Sequence, residues 1–190
     1  MELISIPISI VSLAVSLGTF WLVFLDRGCL KMTKPTLVFF GYDMVPRATP
    51  KVFLRTLLYS TANRGHVVEG MFARVRHGDS EQVFSFWGYG ETEKLTAGSG
   101  LYANRTGFAA NHHFVLSVHE SEYRFEPGDY VIDVFADVVG RKAAVHLSTI
   151  RLTLAPSMAS TLARHEGVLF ERRIGGESDQ NLARLGTRRA

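Results

Sequence analysis

Asn111-His112-His113 is the densest grouping of metal-ligating and base-forming side chains in the sequence. Three such groups converging on one point could hold zinc or activate a water. On an extended strand, however, neighbouring side chains point to opposite faces, so the two imidazoles diverge. His113 and His119 share a face, but six residues at ~3.3 Å each separate them by about 20 Å, beyond one coordination sphere. A site would need His66 or His146 from another strand. The plain expectation is that these histidines are solvated or hydrogen-bonded where a strand begins, with no metal and no cofactor. A loop-based hydrolase or metal-dependent enzyme built around Asn111, His112 and His113 is the alternative.

The other chemically suggestive strings are weaker. Asp129, Asp133 and Asp137 recur every fourth residue. Along a strand that spacing is about 13 Å, too wide for a carboxylate pair using these residues alone, so they read as a solvated sheet face. Gly98-Ser99-Gly100 lacks both the five-residue pattern and the strand-to-helix turn that expose a nucleophilic serine, and reads as a loop. Asn104-Arg105-Thr106 matches a glycosylation sequon, a short pattern common by chance. In QVFSFWGY, Phe84 and Phe86 share one strand face and Trp87 and Tyr89 the other. Left uncovered, Trp87 and Tyr89 would form an aromatic partner surface; covered, they are core.

The elements that position these residues read as strands. Runs of β-branched and aromatic residues, separated by Gly, Pro, Asn and Asp, predict strands at 36–41, 52–60, 67–76, 82–89, 114–118, 130–138 and 144–154, with a short one at 100–103. Tyr130, Ile132, Val134, Ala136 and Val138 alternate with outward Asp129, Asp133 and Asp137. One dry face and one wet face predict an all-β domain, antiparallel sheets stacked as a sandwich over 36–155. In FEPGDYVIDVFADVV, Pro127-Gly128 precedes a strand that starts with inward Tyr130. That suits a corner tyrosine whose ring packs in the core while its hydroxyl bonds backbone, an immunoglobulin-like feature. The sequence holds one cysteine, so no intramolecular disulfide supports the domain. FLDRGCLKMTKPTLVFFGYD, GSGLYANRTGFAANHHF and FEPGDYVIDVFADV together resemble a group of small uncharacterised bacterial proteins with one membrane span and a β domain. The resemblance covers roughly residues 10–155 and implies architecture, with no activity and no site residues.

Before the domain, Leu3 to Leu25 is a run of 23 residues without a charge. As a helix it is roughly 34 Å long, enough for a ~30 Å hydrocarbon core, and predicts a single transmembrane helix over 1–25. A cleaved signal is disfavoured, since no basic residue precedes the run and it exceeds the roughly 7–15 residues of an h-region. Arg27, Lys31 and Lys34 follow it, while only Glu2 precedes it. This predicts an N-terminus outside and a C-terminal domain in the cytoplasm, at the inner membrane. Ser5, Ser9, Ser12 and Ser16, spaced 4, 3 and 4, fall on one helical stripe, with Gly18 close by. Small hydroxyl residues permit close helix approach, so the stripe predicts packing with a second copy or another membrane protein in the bilayer.

Charge excludes one function class. Residues 35–155 carry twelve basic and twelve acidic side chains, no footprint for nucleic acid. The remaining organisation reads as a juxtamembrane linker at 26–35, a short helix at 157–165 with Ser157 near its cap, then a docked or edge segment, GVLFERRI, completing 156–174. Residues 175–190 are poor in apolar side chains and rich in arginine, and predict a disordered basic tail. The function that follows is a membrane-anchored, non-enzymatic interaction module, with an accessory subunit of a membrane complex as one form of it. A periplasmic sandwich binding envelope components is the other non-enzymatic alternative.

Overall fold

The computed structural model describes residues 2–26, 28–43, 48–90, 96–98, 100–116, 123–172 and 181–185. Helix α1 (Glu2–Phe20) passes into a π-helical turn, Trp21–Leu25. The strands are β1 (Leu30–Met32), β2 (Leu37–Asp43), β3 (Thr49–Ser60), β4 (His66–His77), β5 (Ser80–Phe84), β6 (Phe86–Tyr89), β7 (Thr96–Ala97), β8 (Leu101–Ala103), β9 (Phe108–Val115), β10 (Gly128–Val138) and β11 (Val145–Leu154). Helix α2 (Pro156–Ala163), β12 (Val168–Arg172) and β13 (Asn181–Leu185) complete the chain. One sheet has the order β13-β12-β2-β3-β9-β6-β7 with β1 also on β3; the other is β11-β10-β4-β5 with β8 also on β4. Every strand pairing between described residues is antiparallel.

The two sheets share one core in a β-sandwich-like arrangement. Val52, Leu54 and Leu58 of β3, Phe114 of β9 and Val168 and Phe170 of β12 face Ile132, Val134 and Ala136 of β10 and Ala73 and Val75 of β4, all 2% exposed or less. Phe40 lies at the centre of an aromatic group, its ring 4.7 Å from Phe125, 5.4 Å from Tyr130 and 5.6 Å from Phe170. Burying side chains of this size contributes about 1.5–3 kcal/mol each, the term that offsets the entropy of ordering so many strands. The strand expected at 82–89 bends at Ser85 and changes sheets, β5 pairing with β4 and β6 with β9. The bend resets side-chain parity. Phe84 (0% exposed) and Trp87 (4%) both enter the core three residues apart, while Phe86 (60%) stands outside.

Several expectations are corrected. The 26–35 segment contains β1, with Leu30 and Met32 buried, and Thr33 donates its N–H to the Leu57 carbonyl while its hydroxyl oxygen accepts the Leu57 N–H. Helix α2 starts at Pro156 after Ala155, with no side-chain cap from Ser157, because proline's fixed φ already suits the first helical position. It ends at Ala163, before Gly167 as expected though short of His165, which follows at φ 60. GVLFERRI supplies an interior strand of its sheet, β12 lying between β2 and β13. Within the tail expected to lack structure, Asn181–Leu185 pairs with β12; an open strand edge offers main-chain bonds that need no apolar composition. The rest of 175–190 lies outside the described residues. Among the described residues no helix is long and apolar enough to cross a membrane. The regular α-helix stops at Phe20, short of the run to Leu25 read from the sequence.

Candidate functional site

Strand β9 carries Asn111, His112 and His113 through the middle of its sheet, hydrogen-bonded to β3 on one side and, through His112 and His113, to β6 on the other. Strand pleating sends His112 into the core, opposite Leu54 and Tyr89, and His113 to the outer face, beside Phe53 at 5.2 Å. Neither is solvated: they are 0% and 2% exposed. Trp87 donates its indole N–H to Nδ1 of His112 at 3.3 Å, which puts the proton of the neutral ring on Nε2. Nε2 of His113 lies 3.3 Å from the carbonyl of Gly90. Burial, reinforced by the neighbouring His113, pulls His112 down to about 4; burial, with Lys51 nearby, does the same to His113. Two neutral imidazoles on opposite sides of a strand cannot act on one substrate. Among the described residues no three His, Cys, Asp or Glu side chains are grouped to hold a metal.

Trp87 is therefore an interior group and offers no partner surface. Its ring fills the space over Gly98, where an added Cβ would lie 2.0 Å from it. Tyr89 is half-buried against the same core, its ring 5.4 Å from both Trp87 and Phe108. Tyr130, at 1% exposure, donates its hydroxyl proton to the Glu126 carbonyl and accepts the Glu126 N–H, both at 2.8 Å. The loop before β10 is thus tied to the ring four residues later.

On the outer face of the second sheet, Asp133 gathers partners from both neighbouring strands. Arg76 of β4 reaches it at 2.6 Å, and Thr149 of β11 donates its hydroxyl to it. His146 Nε2 lies 3.0 Å from Thr149 Oγ1 and 3.4 Å from Asp133. Burial opposes ionisation of Asp133, but the hydrogen bonds from Thr149 and Arg76 and the Arg76 charge outweigh it and hold the carboxyl below its usual range. The three residue types invite comparison with a catalytic triad, yet a single imidazole nitrogen meets both the hydroxyl and the carboxylate. The hydroxyl proton already goes to the carboxylate. A relay needs the base between the two, so this group is an ion-pair network on a sheet face.

A cleft of about 800 Å³ opens at the end of the sandwich remote from α1, lined by Tyr42, Pro50, Tyr123, Arg124, Glu126 and His165 among others. No sequence signal gathers these residues, since they come from β2, β3, the loop before β10 and the end of α2. Burial chiefly raises the phenols of Tyr42 and Tyr123, and pushes Tyr130 behind them up to about 12, so none is a base near neutrality. The lining offers aromatic walls and one charge of each sign without a nucleophile beside a base.

On α1, Ser9, Ser12 and Ser16 are exposed, and a Cβ at Gly18 would meet nothing within 4 Å. The side chain of Ser5 lies outside the described residues. No known protein family matches the chain, and no curated protein or solved structure is detectably similar to it.

Proposed function

We propose that this protein is a membrane-anchored, non-enzymatic interaction module whose β domain stands on the cytoplasmic side of the inner membrane. One observation carries the reading. Every described side chain of α1 and the following turn is exposed: the large apolar Ile8, Ile10, Val11, Leu13, Val15, Leu17, Phe20, Trp21 and Leu22 are 53–64% so, and Val23 39%. At about 100° per residue these side chains cover the helix except for the stripe held by Ser9, Ser12 and Ser16. A helix uncharged throughout and apolar over so much of its surface is stable only when something other than water surrounds it. The anchor would use α1 and its π-helical turn together, since the uncharged run continues through Leu25. Arg27, Lys31 and Lys34 then favour retention of that flank in the cytoplasm.

The interior histidines and the Asp133 network support a binding role over catalysis, because the reactive side chains are engaged in packing and pairing. The Tyr130 corner and the exchange of one strand between sheets support an immunoglobulin-like sandwich. The exposed Ser9, Ser12, Ser16 and Gly18 support association through the helix, with a second copy or another membrane protein.

The test is a pair of C-terminal fusions in bacteria, one reporter active only in the periplasm and one only in the cytoplasm. Carbonate extraction of the membranes accompanies them. Carbonate-resistant membrane association with cytoplasmic activity alone is expected. Periplasmic activity would transfer the domain to the envelope-binding reading, and complete carbonate release would remove the anchor.

A further inference from the structure

We propose that the end of the β domain joined to α1 is a binding surface for anionic lipid headgroups. The inference builds on the anchored reading and adds the partner that the domain itself contacts. Three turns remote in sequence meet at that end. Cys29, just after α1, accepts a hydrogen bond from the Thr61 amide at 3.0 Å and donates to its hydroxyl at 2.8 Å, fixing where the chain enters the domain. The turn after β3 then lies beside the turn after β8: Ser60 N–H bonds the Asn104 carbonyl at 2.9 Å and Arg105 donates to Asn63 at 3.4 Å. The turn after β10 joins them through Val139 N–H on the Val67 carbonyl at 3.0 Å.

These turns present Arg64, Arg105, Arg141 and Lys142, with Lys31 of β1 beside them, and all five are exposed. Among the described residues none of the five forms an ion pair. Asp26, Glu69 and Asp137 are the acidic residues at this end: an Asp26 carboxylate oxygen accepts the Gly28 N–H, Glu69 and Asp137 lie on β4 and β10 next to the turn, and the five basic side chains outnumber these three. The opposite end carries Asp43, Asp79, Glu126, Asp129 and Glu166 against Lys51, Arg124 and Arg164, and Arg164 is paired with Glu166. A domain with balanced charge is thus polarised along its length, basic toward the anchor.

Two further observations point to lipid. Val67, Tyr102 and Val139, 39%, 55% and 54% exposed, adjoin the basic turns; Val67 and Tyr102 are cross-strand partners. Apolar side chains beside basic ones suit the boundary between headgroups and acyl chains. Only Asp26 to Gly28 separate the helical turn from the Cys29–Thr61 attachment, a reach of roughly 10 Å when extended. That is close to the ~8 Å screening length at physiological salt, so an embedded anchor holds the basic end within the surface potential. Arginine's planar fork matches the phosphate diester of a headgroup.

The experiment uses the full chain with Cys29→Ser and Ala143→Cys, labelled with a fluorophore in the turn after β10. It is mixed with vesicles of phosphatidylcholine alone, or phosphatidylcholine with phosphatidylglycerol, each containing a headgroup-quencher lipid. Quenching is expected to be at least about threefold greater with phosphatidylglycerol, and to fall at about 1 M salt, where charges are screened within ~3 Å. It should fall likewise in a variant carrying Arg64→Gln, Arg105→Gln, Arg141→Gln and Lys142→Gln, whose thermal melting verifies folding. Each basic group near the surface is worth about fivefold in partition. Equal quenching in both vesicles while the protein stays carbonate-resistant would overturn the headgroup surface and leave the anchor standing. Phosphatidylglycerol-dependent quenching without carbonate resistance would uphold the surface and remove the anchor. A response to a duplex oligonucleotide but not to vesicles would also overturn it.

Discussion

Trp87 and His112 are hydrogen-bonded partners inside the core, the indole N–H donating to Nδ1 of an imidazole that is fully buried. The pair turns a potential base into a structural acceptor, and its consequence is measurable. Both His112 and His113 are held near 4 against 6.5 for a free histidine. Between those values the unfolded chain takes up protons that the folded chain refuses, so stability is intact above pH 6.5 and declines as pH falls toward 4. For His112 the loss across that window is of order 3 kcal/mol. Asp133, whose carboxyl is likewise held low, adds to the same acid-side loss, but only as pH falls through and below the ordinary carboxylate range. Urea midpoints at successive pH values should fall through this window, and His112→Gln, which keeps an acceptor for Trp87, should flatten the slope by about half. A midpoint constant from pH 7 to 4.5 would show the histidines to be solvated.

Gly98 is the floor under the Trp87 ring. A methyl there meets ring carbons at 2.0, 2.3 and 2.5 Å, distances no packing tolerates. Gly98→Ala should therefore displace the indole, costing about 1–3 kcal/mol as overpacked cores do. A red-shifted tryptophan emission and a lower melting temperature would register it. Native emission and stability would mean that the loop yields instead.

Tyr130 separates ring from hydroxyl. Tyr130→Phe keeps the packing against Phe40 and loses two hydrogen bonds to Glu126, an exposed residue that water can serve. The expected cost is about 1–2 kcal/mol, against about 3–5 kcal/mol for Tyr130→Ala, which also opens a cavity. Chemical denaturation of the two variants distinguishes these contributions. Equal losses would deny the hydroxyl any separate role or make the ring dispensable.

Replacing Ser5, Ser9, Ser12 and Ser16 together by leucine keeps α1 apolar while blocking close approach. If the stripe is a packing seam, association of the full chain in detergent micelles or a two-helix membrane reporter should fall several-fold. Unchanged association would leave the serines as residues tolerated in lipid, bonding their own helix as Thr19 does to the Val15 carbonyl.

Local pattern sufficed for much of this molecule. The alternation in Tyr130–Val138 reports a strand with one dry face because a strand's period is fixed at two, and that strand is β10. The uncharged Leu3–Leu25 run reports a helix because its length and apolar content suit one and its few hydroxyls can bond back within it, as Thr19 does to the Val15 carbonyl, although the regular α-helix ends at Phe20. The divergence of His112 and His113 follows from the same pleat. Other properties depended on partners far along the chain. Trp87 became core rather than surface when the strand changed sheets at Ser85, a bend that resets parity without altering composition. The burial of both histidines came from β3 and β6, which no spacing within β9 encodes. The balanced charge of residues 35–155 was legible as a sum, but its segregation was not. Arg64, Arg105 and Arg141 lie about forty residues apart, and only antiparallel pairing brings their turns to the same end, beside the helix.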